Sequence, residues 1–361
     1  MSQIRAEIAQ IPSRLKAHRL GLQAREMAPY QSEPPQMPSG SVGKSGYLKL
    51  RFAEGAYRSE LVEMERRVPS LAQKALYWDE LMPQLPCVTM ISTSGGLLQG
   101  DRQALDIIVE EDACGHVTTQ SATKIHMMDT NYATQYQRIV VKAGGYLEYL
   151  PDPIIPHRHA RFITDTEILI DPTATMIYSE ILMSGRKHHH PDEQFGFDIF
   201  SSTIRATRMD TARMNAARMN ARGTEEADNG GVDHDKDSYQ MQEQTHLTGS
   251  ADELFVEKYI LEPHKSSLTE VAVMGGFEIF GNVILLTPKE QHADILARIE
   301  AHYDADEKLA YGATLLPNDA GIIFKVLGND STDVKMVIRD FWKIAREEIL
   351  GISVPEPFLW R

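Results

Sequence analysis

Acidic side chains near turns and strand ends are the residues of this chain best suited to chemistry. The candidates are Asp101, Asp152, Glu180 and Glu193. Positioned carboxylates can act as general acids and bases or as metal ligands. The sequence has neither a Gly-x-Ser-x-Gly nucleophile elbow nor a His-Glu-x-x-His metalloprotease motif. An aspartate beside glycine or proline also commonly bonds its own turn, so a structural role stays open for each candidate.

Two groups of histidines add candidate nitrogen ligands. His157 and His159 alternate along the chain, and His188, His189 and His190 form a run that ends at a proline. Imidazole is a common ligand of transition metals, but alternate residues share a face only in a regular strand. A histidine run before proline is also typical of an exposed loop. Ligand and loop interpretations both stay open for these histidines.

Residues 94–101, with the sequence SGGLLQGD, combine three glycines and an aspartate. Gly95, Gly96 and Gly100 allow positive φ angles and the close approach of another segment or ligand. This stretch therefore specifies a backbone shape rather than a packed core face. A turn between two strands is the alternative interpretation.

Several segments, taken in order, resemble the urease accessory protein UreD family, also called UreH. The main matches are residues 94–101, 118–124 and 147–156. Weaker ones are residues 43–50, Tyr77 with Asp79 and Pro83, and Gly185-Arg186 followed by Glu193 and Phe195. The resemblance covers most of residues 43–200 and, more loosely, residues 255–350.

The resemblance implies a non-enzymatic scaffold and metallochaperone for urease maturation. Its partners would be apo-urease, the accessory protein UreF and the GTPase UreG, and GTP hydrolysis would belong to the last of these. No cofactor would stay bound, and nickel would be cargo in transit. Asp101, Asp152, Glu180 and Glu193 would assist that transit, because oxygen ligands in a polar channel hold a divalent cation weakly enough to release it.

The resemblance also implies roles for residues around these carboxylates. Gly95, Gly96 and Gly100 would shape the metal path or an interface. Thr119 and Gln120 are expected to line the interior or a partner surface. Arg186 is expected to pair with an acidic group or a carbonyl. Glu193 lies further from the arginine than the corresponding family glutamate does, which implies a short insertion that contains the histidine run.

Composition narrows the classes of partner. The chain of 361 residues has 37 basic and 51 acidic side chains and a net charge of −14, which argues against nucleic acid and anionic membranes as partners. The two cysteines, Cys87 and Cys114, fit a reducing compartment, although both can also be buried as small apolar residues. Apolar runs fall short of the roughly 18 to 20 residues that span a bilayer. We expect a cytoplasmic protein.

Alternating apolar and polar residues dominate the region from Leu48 to about Phe200. Short alternating runs separated by Gly, Pro, Asp or Asn predict strands, among them residues 105–109, 138–141, 146–150 and 167–170. Strands are also predicted at 254–261 and 271–273, with a hairpin-like segment at 277–280. The pattern therefore predicts a mainly β fold of stacked or helically wound sheets, which is also what the resemblance implies.

Two helices are predicted in the C-terminal third. Thr287 offers an N-cap before Pro288, and the first apolar face would comprise Ile295, Leu296, Ile299 and Tyr303. The second helix would open at Ser331 or Thr332 and end at Gly351. Its apolar stripe comprises Val334, Val337, Ile338, Phe341, Trp342, Ala345 and Ile349.

Two segments are expected to lie outside the ordered domain, which would span residues 43–361. Residues 1–42 carry interrupting prolines and lack the apolar core of a secretion signal, so we expect a flexible tail. Residues 205–252 contain a near-repeated stretch followed by an acidic one. Such a composition buries too little apolar surface to offset its ordering entropy, which predicts a disordered insertion between two strands.

Two other functions are compatible with parts of the sequence. A cytosolic metal-dependent hydrolase on a β scaffold would use carboxylates and histidines as a stable metal centre. A nucleotide-binding enzyme would use residues 38–45, whose end resembles a P-loop, but the first glycine of that motif is Pro38 and a strand-like pattern follows where a helix is required. Neither alternative accounts for the ordered set of motifs.

Overall fold

The computed structural model describes residues 11–32, 44–209, 252–271 and 273–356, and two β-sheets dominate it. Strands and helices are numbered in chain order. Sheet A contains β1 (Ser45–Glu54), β2 (Ser59–Arg67), β5 (Arg102–Val109), β8 (Ala133–Val141), β11 (Arg161–Ile170), β13 (Ile199–Arg208) and β14 (Asp252–Leu261). Sheet B contains β3 (Ser70–Ala72), β4 (Cys87–Ser92), β6 (Cys114–Thr119), β7 (Thr123–Ile125), β9 (Tyr146–Tyr149), β10 (Ile154–Pro156), β12 (Thr175–Met183), β15 (Ile279–Leu286), β16 (His302–Asp304), β17 (Leu309–Leu315) and β18 (Gly321–Gly328).

The central strands wind between the two sheets. From β4 to β13 the chain alternates between sheet B and sheet A, with the short strands β7 and β10 as additions to sheet B. As a result, β5, β8, β11 and β13 pair in parallel in sheet A, and β4, β6, β9 and β12 do so in sheet B. The predicted mainly β fold with wound, stacked sheets is confirmed, as are the four strands predicted within residues 105–170.

Apolar side chains fill the space between the sheets. Ile107, Ile139 and Ile168 lie directly opposite one another on adjacent strands of sheet A and are fully buried. They belong to the same core cluster as Leu147 and Met176 of sheet B. Because burying an aliphatic side chain of this size contributes about 1.5–3 kcal/mol, these rows stabilise the sandwich strongly.

A long helix covers the outer face of sheet B. Helix α3 (Ser331–Leu350) begins after Asp330, whose carboxylate accepts hydrogen bonds from the N–H groups of Thr332 and Asp333, and ends at Gly351 with a φ of 67°. The structure thus confirms the predicted helix and its glycine C-cap. Its buried stripe packs against sheet B through Val334, Ile338, Phe341, Trp342 and Ala345.

Buried charges fasten the same helix to the sandwich. Arg346 of α3 is fully buried and donates to Asp79 at 2.7 Å. Its Nε lies 3.7 Å from a carboxylate oxygen of Glu148, which also accepts from the indole of Trp342 at 2.8 Å. His116 contributes a further contact of 2.8 Å to Glu148. The paired charges offset the cost of desolvation.

Two predictions in the C-terminal third were wrong in detail. The first predicted helix is reduced to a 3₁₀ turn (Lys289–Gln291) and a short α2 (His292–Ala297), and Tyr303 lies in β16 instead. Antiparallel pairing with β17 satisfies the backbone of β16, so tertiary pairing overrides the local helical spacing. Val271, predicted to open a strand, lies in a turn with 93% of its surface exposed.

The N-terminal segment differs from the predicted flexible tail over residues 11–32. Helix α1 (Ser13–Arg19) and a 3₁₀ helix (Arg25–Tyr30) lie here, with Ala17 and Met27 buried. Ser13 donates to Asp106 at 2.5 Å, and Lys16 pairs with Glu167 at 2.9 Å on the outer face of sheet A. Side-chain contacts with distant strands thus hold this segment in place, although its own helical pattern of apolar residues is weak.

The remaining predictions concern the segment boundaries. Strand β13 extends to Arg208 and β14 begins at Asp252, so residues 205–208 of the predicted insertion belong to a strand. Residues 210–251 lie outside the described ranges, as do residues 38–43 of the P-loop-like stretch. Within the described part of the chain, no helix combines the length and apolar character needed to cross a membrane.

Candidate functional site

Glu180 is buried between the two sheets. It projects from β12 and accepts hydrogen bonds from the hydroxyls of Tyr259 and, at 3.2 Å, Ser202 on sheet A. Only 5% of its surface is exposed, and this burial is the main cause that raises the pKa of its carboxyl to about 7. The nearby charge of Glu257 raises the pKa further, whereas the two hydrogen bonds lower it. Glu180 therefore exchanges a proton near neutral pH.

A row of polar side chains on sheet A leads to this carboxyl. Strand register places five residues side by side across the sheet: Gln103, Gln135, Thr164, Ser202 and Tyr259. Residues directly opposite on neighbouring strands share one face, and Ser202 and Tyr259 show that this face points at sheet B. The hydroxyl of Thr164 is buried and has no hydrogen-bond partner among the described residues.

A second row of polar side chains, two residues further along each strand, connects the two sheets. Tyr149 donates to Gln137 at 2.5 Å, and Gln137 donates to Thr166 at 2.9 Å. Tyr178 stacks on Tyr149 with 5.4 Å between ring centroids. Burial raises the pKa of both tyrosines, so they remain protonated hydrogen-bond donors.

The polar band ends near the surface beside the C-terminal strands. Asn282 lies directly opposite Glu180 on β15 and donates to Glu257 at 2.6 Å, and Glu257 also accepts from Lys325. We call the two rows together with these groups the inter-sheet polar band: Gln103, Gln135, Gln137, Tyr149, Thr164, Thr166, Tyr178, Glu180, Ser202, Glu257, Tyr259, Asn282 and Lys325.

A cavity of about 410 Å³ lies at the other end of the polar band. Its wall joins Gln103 and Gln135 of the band to several residues singled out in the sequence, namely Gly95, Gly96, Thr119 and Gln120. The structure therefore brings these four residues together in the wall of one cavity. Sheet strands and a glycine loop form the wall jointly.

The glycine loop has the conformation that its composition specifies. Gly95, Gly96 and Gly100 have φ angles of 71°, 156° and 76°. A Cβ on Gly96 would lie 2.6 Å from the carbonyl oxygen of Lys124, which accepts a hydrogen bond from the N–H of Leu97 at 2.8 Å. Glycine is thus required at this position both by backbone conformation and by close approach.

Asp101 stabilises the same loop. It is fully buried, and its two carboxylate oxygens accept hydrogen bonds from the N–H groups of Lys44 and Leu98, both at 2.9 Å. Burial is the largest influence and raises the pKa of this carboxyl. Both oxygens thus bond backbone donors that join the glycine loop to the start of β1.

Glu193 and Arg186 form a two-pronged ion pair. Arg186 donates to Oε1 at 2.6 Å and to Oε2 at 3.2 Å, and the N–H of Arg158 donates to Oε2 at 3.1 Å. Hydrogen bonding from Arg186 is the main cause that lowers the pKa of Glu193. This acidic partner is of the kind that the sequence predicts for Arg186.

Asp152 occupies the break in sheet B between β9 and β10. Its N–H donates to Thr119 at 2.8 Å, and its carboxylate accepts from Lys335 of α3 at 2.8 Å. The side chain is 25% exposed. The described contacts join none of the four candidate carboxylates to another, so these residues do not form one compact metal centre within the described ranges.

The histidines fall into three environments. His188, His189 and His190 are exposed at a turn, as the loop interpretation predicts. His157 is buried, and desolvation is the main cause that lowers its pKa to about 4. His159 lies with Asp198 and His264 in the group of three metal-capable side chains that the described residues contain.

Sequence reasoning missed most of the polar band and the histidine–aspartate group. One available signal was the polar pair two residues apart in strands otherwise apolar on that face, as at Gln135 and Gln137 or at Thr164 and Thr166. Asp198 and His264 carried no such signal, because they lie far apart in the chain and meet only through strand pairing.

The fold and the interior define a class of wound, two-sheet β proteins with a polar band between the sheets. Within that class, this chain belongs to the urease accessory protein UreD family, whose family model matches residues 44–361. The chain is 59% identical over 354 residues to the protein named "Urease accessory protein UreD" of Yersinia enterocolitica serotype O:8, covering 98% of both chains.

Other relatives carry the same name. The Yersinia pseudotuberculosis serotype O:1b protein is also 59% identical over 354 residues, with 98% of both chains covered. The Photorhabdus laumondii protein is 55% identical over 346 residues, which cover 96% of this chain and 95% of that relative.

Proposed function

We propose that this protein is a non-enzymatic scaffold and metallochaperone for urease maturation. It binds apo-urease in the cytoplasm and recruits UreF and the GTPase UreG, whose GTP hydrolysis accompanies the delivery of nickel. The observation that carries this proposal is the 59% identity, over 98% of the chain, to proteins named for a urease accessory role.

The inter-sheet polar band supports a role in nickel transit. Glu180 has a carboxyl whose pKa is about 7, two hydroxyls bond it, and Asn282 lies opposite it on β15. Oxygen ligands of this kind bind a divalent cation without the tight hold of a thiolate site, which favours release. Asp152 lies beside α3, where its carboxylate pairs with Lys335 and its N–H bonds Thr119 of the cavity wall. Nickel is the cargo here and no cofactor stays bound.

Asp101 and Glu193 receive less support as nickel ligands. Backbone N–H groups already bond both oxygens of Asp101, and Arg186 pairs with Glu193. We assign them to the maintenance of the path: Asp101 holds the glycine loop, and Glu193 holds the turn that carries the histidine run.

Urease maturation tests the scaffold proposal directly. Nickel-free urease would be co-expressed with its other accessory proteins, with and without this chain, and nickel content and urease activity would be measured. We expect both to depend on the chain, and we expect the chain to purify with apo-urease. Equal activation without the chain would overturn the proposal.

Two substitutions test the transit role. Asp152→Ala and Glu180→Gln should each lower nickel incorporation into urease while the chain stays folded and still purifies with apo-urease. Asp306→Ala is the matched control, because Asp306 is an exposed acidic residue in the turn between β16 and β17 and is not part of the polar band. Wild-type nickel incorporation in both variants would refute transit through these carboxyls.

A further inference from the structure

His159, Asp198 and His264 meet at one end of sheet A. His159 lies just before β11, Asp198 just before β13, and His264 just after β14. Strands β11 and β13 are parallel neighbours, whereas β14 runs antiparallel to β13. The start of the first two strands and the end of the third therefore fall at the same sheet edge. Strand pairing thus brings together the three short segments that carry these side chains.

The geometry of this group matches a metal-ligand set. His159 Nδ1 lies 3.0 Å from Asp198 Oδ1, and His264 Nε2 lies 3.5 Å from the same oxygen. One ligand atom from each residue lies within 4.8 Å of those of the other two. Two imidazoles and a carboxylate suit first-row divalent metals such as nickel and zinc.

Arg161 fixes the orientation of the carboxylate. Its Nε donates to Asp198 Oδ2 at 2.7 Å, so that Oδ1 is left facing the two imidazoles. A partner that holds a ligand carboxylate through its other oxygen is typical of metal sites. The arginine charge opposes a cation nearby, which favours weak and reversible binding over a permanent site.

The backbone of His159 is held in an uncommon conformation. Its φ is 57°, its N–H donates to the carbonyl of Gly196 at 2.8 Å, and its own carbonyl accepts from the N–H of Met128. Non-glycine residues adopt this region rarely, and surrounding contacts must impose it. These bonds place the imidazole beside Asp198.

The site is open to solvent. The side chains of His159 and His264 are 40% and 58% exposed, whereas that of Asp198 is 12% exposed. His264 also lines a surface cavity of about 350 Å³ whose wall includes Pro191, the residue after the exposed histidine run. Three protein ligands at an open surface leave coordination positions for water or for a donor protein's ligand.

We propose that His159, Asp198 and His264 form a surface site that binds a divalent first-row metal reversibly. That its cargo is nickel, taken up before transfer to the interior, rests on the proposed function. The site lies outside the inter-sheet polar band and uses imidazole ligands, which the band lacks. It is therefore a separate metal site. Its imidazoles prefer transition metals more strongly than the oxygen ligands of the polar band do.

Nickel binding by the full-length chain tests this site. Equilibrium dialysis with Ni²⁺ near pH 7.5 would compare the wild type with His264→Ala and with His159→Asn, which tolerates the positive φ. We expect one class of nickel site to weaken at least about tenfold in both variants, since loss of a partner behind a ligand already costs about 10–100-fold. His302→Ala, which removes a histidine elsewhere, should bind as the wild type does.

A cobalt spectrum gives a second readout. Co²⁺ bound to imidazole should give a visible absorption band that His264→Ala reduces and His302→Ala retains. Unchanged nickel affinity in His264→Ala and His159→Asn would overturn the site. Loss of the binding in a triple alanine variant of residues 188–190, with His264→Ala unaffected, would overturn it in favour of the histidine run.

The outcome is independent of urease maturation. If urease matures without this chain but His264→Ala still weakens nickel binding, the metal site stands and the proposed function fails. If maturation requires the chain but His264→Ala binds nickel normally, the proposed function stands and this site fails.

Discussion

Replacing Glu180 by glutamine tests how strongly the sandwich disfavours a buried charge. The pKa of Glu180 rises from 4.5 to about 7, a difference that corresponds to about 3 kcal/mol. Because the folded state holds this proton more tightly than the unfolded chain, the contribution of Glu180 to stability is greatest below about pH 4.5, falls as pH rises, and levels off above about pH 7. Glutamine mimics the neutral acid, so Glu180→Gln should be more stable than the wild type at pH 8 by up to about 3 kcal/mol, and close to it at pH 4.5.

Urea denaturation of the full chain at pH 4.5 and pH 8 measures this difference, and comparison of variant with wild type cancels the other titrating groups. Glu193→Gln is a control in which the change in stability should have the opposite sign. The pKa of Glu193 is lowered rather than raised, mainly by its hydrogen bonds with Arg186. That variant should lose stability at pH 8, and the loss should shrink as pH falls. A stability gain for Glu180→Gln that is the same at both pH values would refute the assignment of a raised pKa.

Three further substitutions test the packing around the site, each measured as a change in the free energy of unfolding. Arg346→Met should cost about 3–5 kcal/mol, because it removes the buried arginine partner of the carboxylates of Asp79 and Glu148; a loss below 1 kcal/mol would contradict this. Gly96→Ala should cost more than about 1 kcal/mol and more than Gly95→Ala, whose Cβ would meet no atom within 4 Å; equal losses would show that the close approach is unimportant. Asp152→Ala should change stability by less than about 1 kcal/mol, since its partner Lys335 is half-exposed; a larger loss would point to a structural role.

Local pattern was enough to predict much of the fold. Alternation over residues 138–141 and 167–170 places Ile139 and Ile168 on one face, and both lie in the inter-sheet core. Helix α3 was likewise predicted because its stripe recurs every three or four residues and a glycine follows it. Tyr303 shows the limit, since its helical spacing yielded to strand pairing that only distant residues provide.

The candidate site was predictable only in part. Glycines at 95, 96 and 100 indicated a special backbone shape, which depends on local φ angles, and the structure has that shape. The separate environments of Asp101 and Glu180 could not be predicted, because burial and hydrogen-bond partners depend on which strands stack. Both appear in the sequence as acidic residues, yet one bonds a loop and the other lies among hydroxyls with a pKa of about 7.

The sequence by itself determined the mainly β class, the terminal helix, the glycine loop and the family resemblance, because each depends on residue types within a short window. Only the tertiary structure decided that Gln135, Thr164 and Ser202 form a row towards Glu180, and that His159, Asp198 and His264 meet at one sheet edge. The physical reason is register: hydrogen bonding between strands distant in sequence aligns side chains across a sheet, and no local pattern encodes which strands will pair.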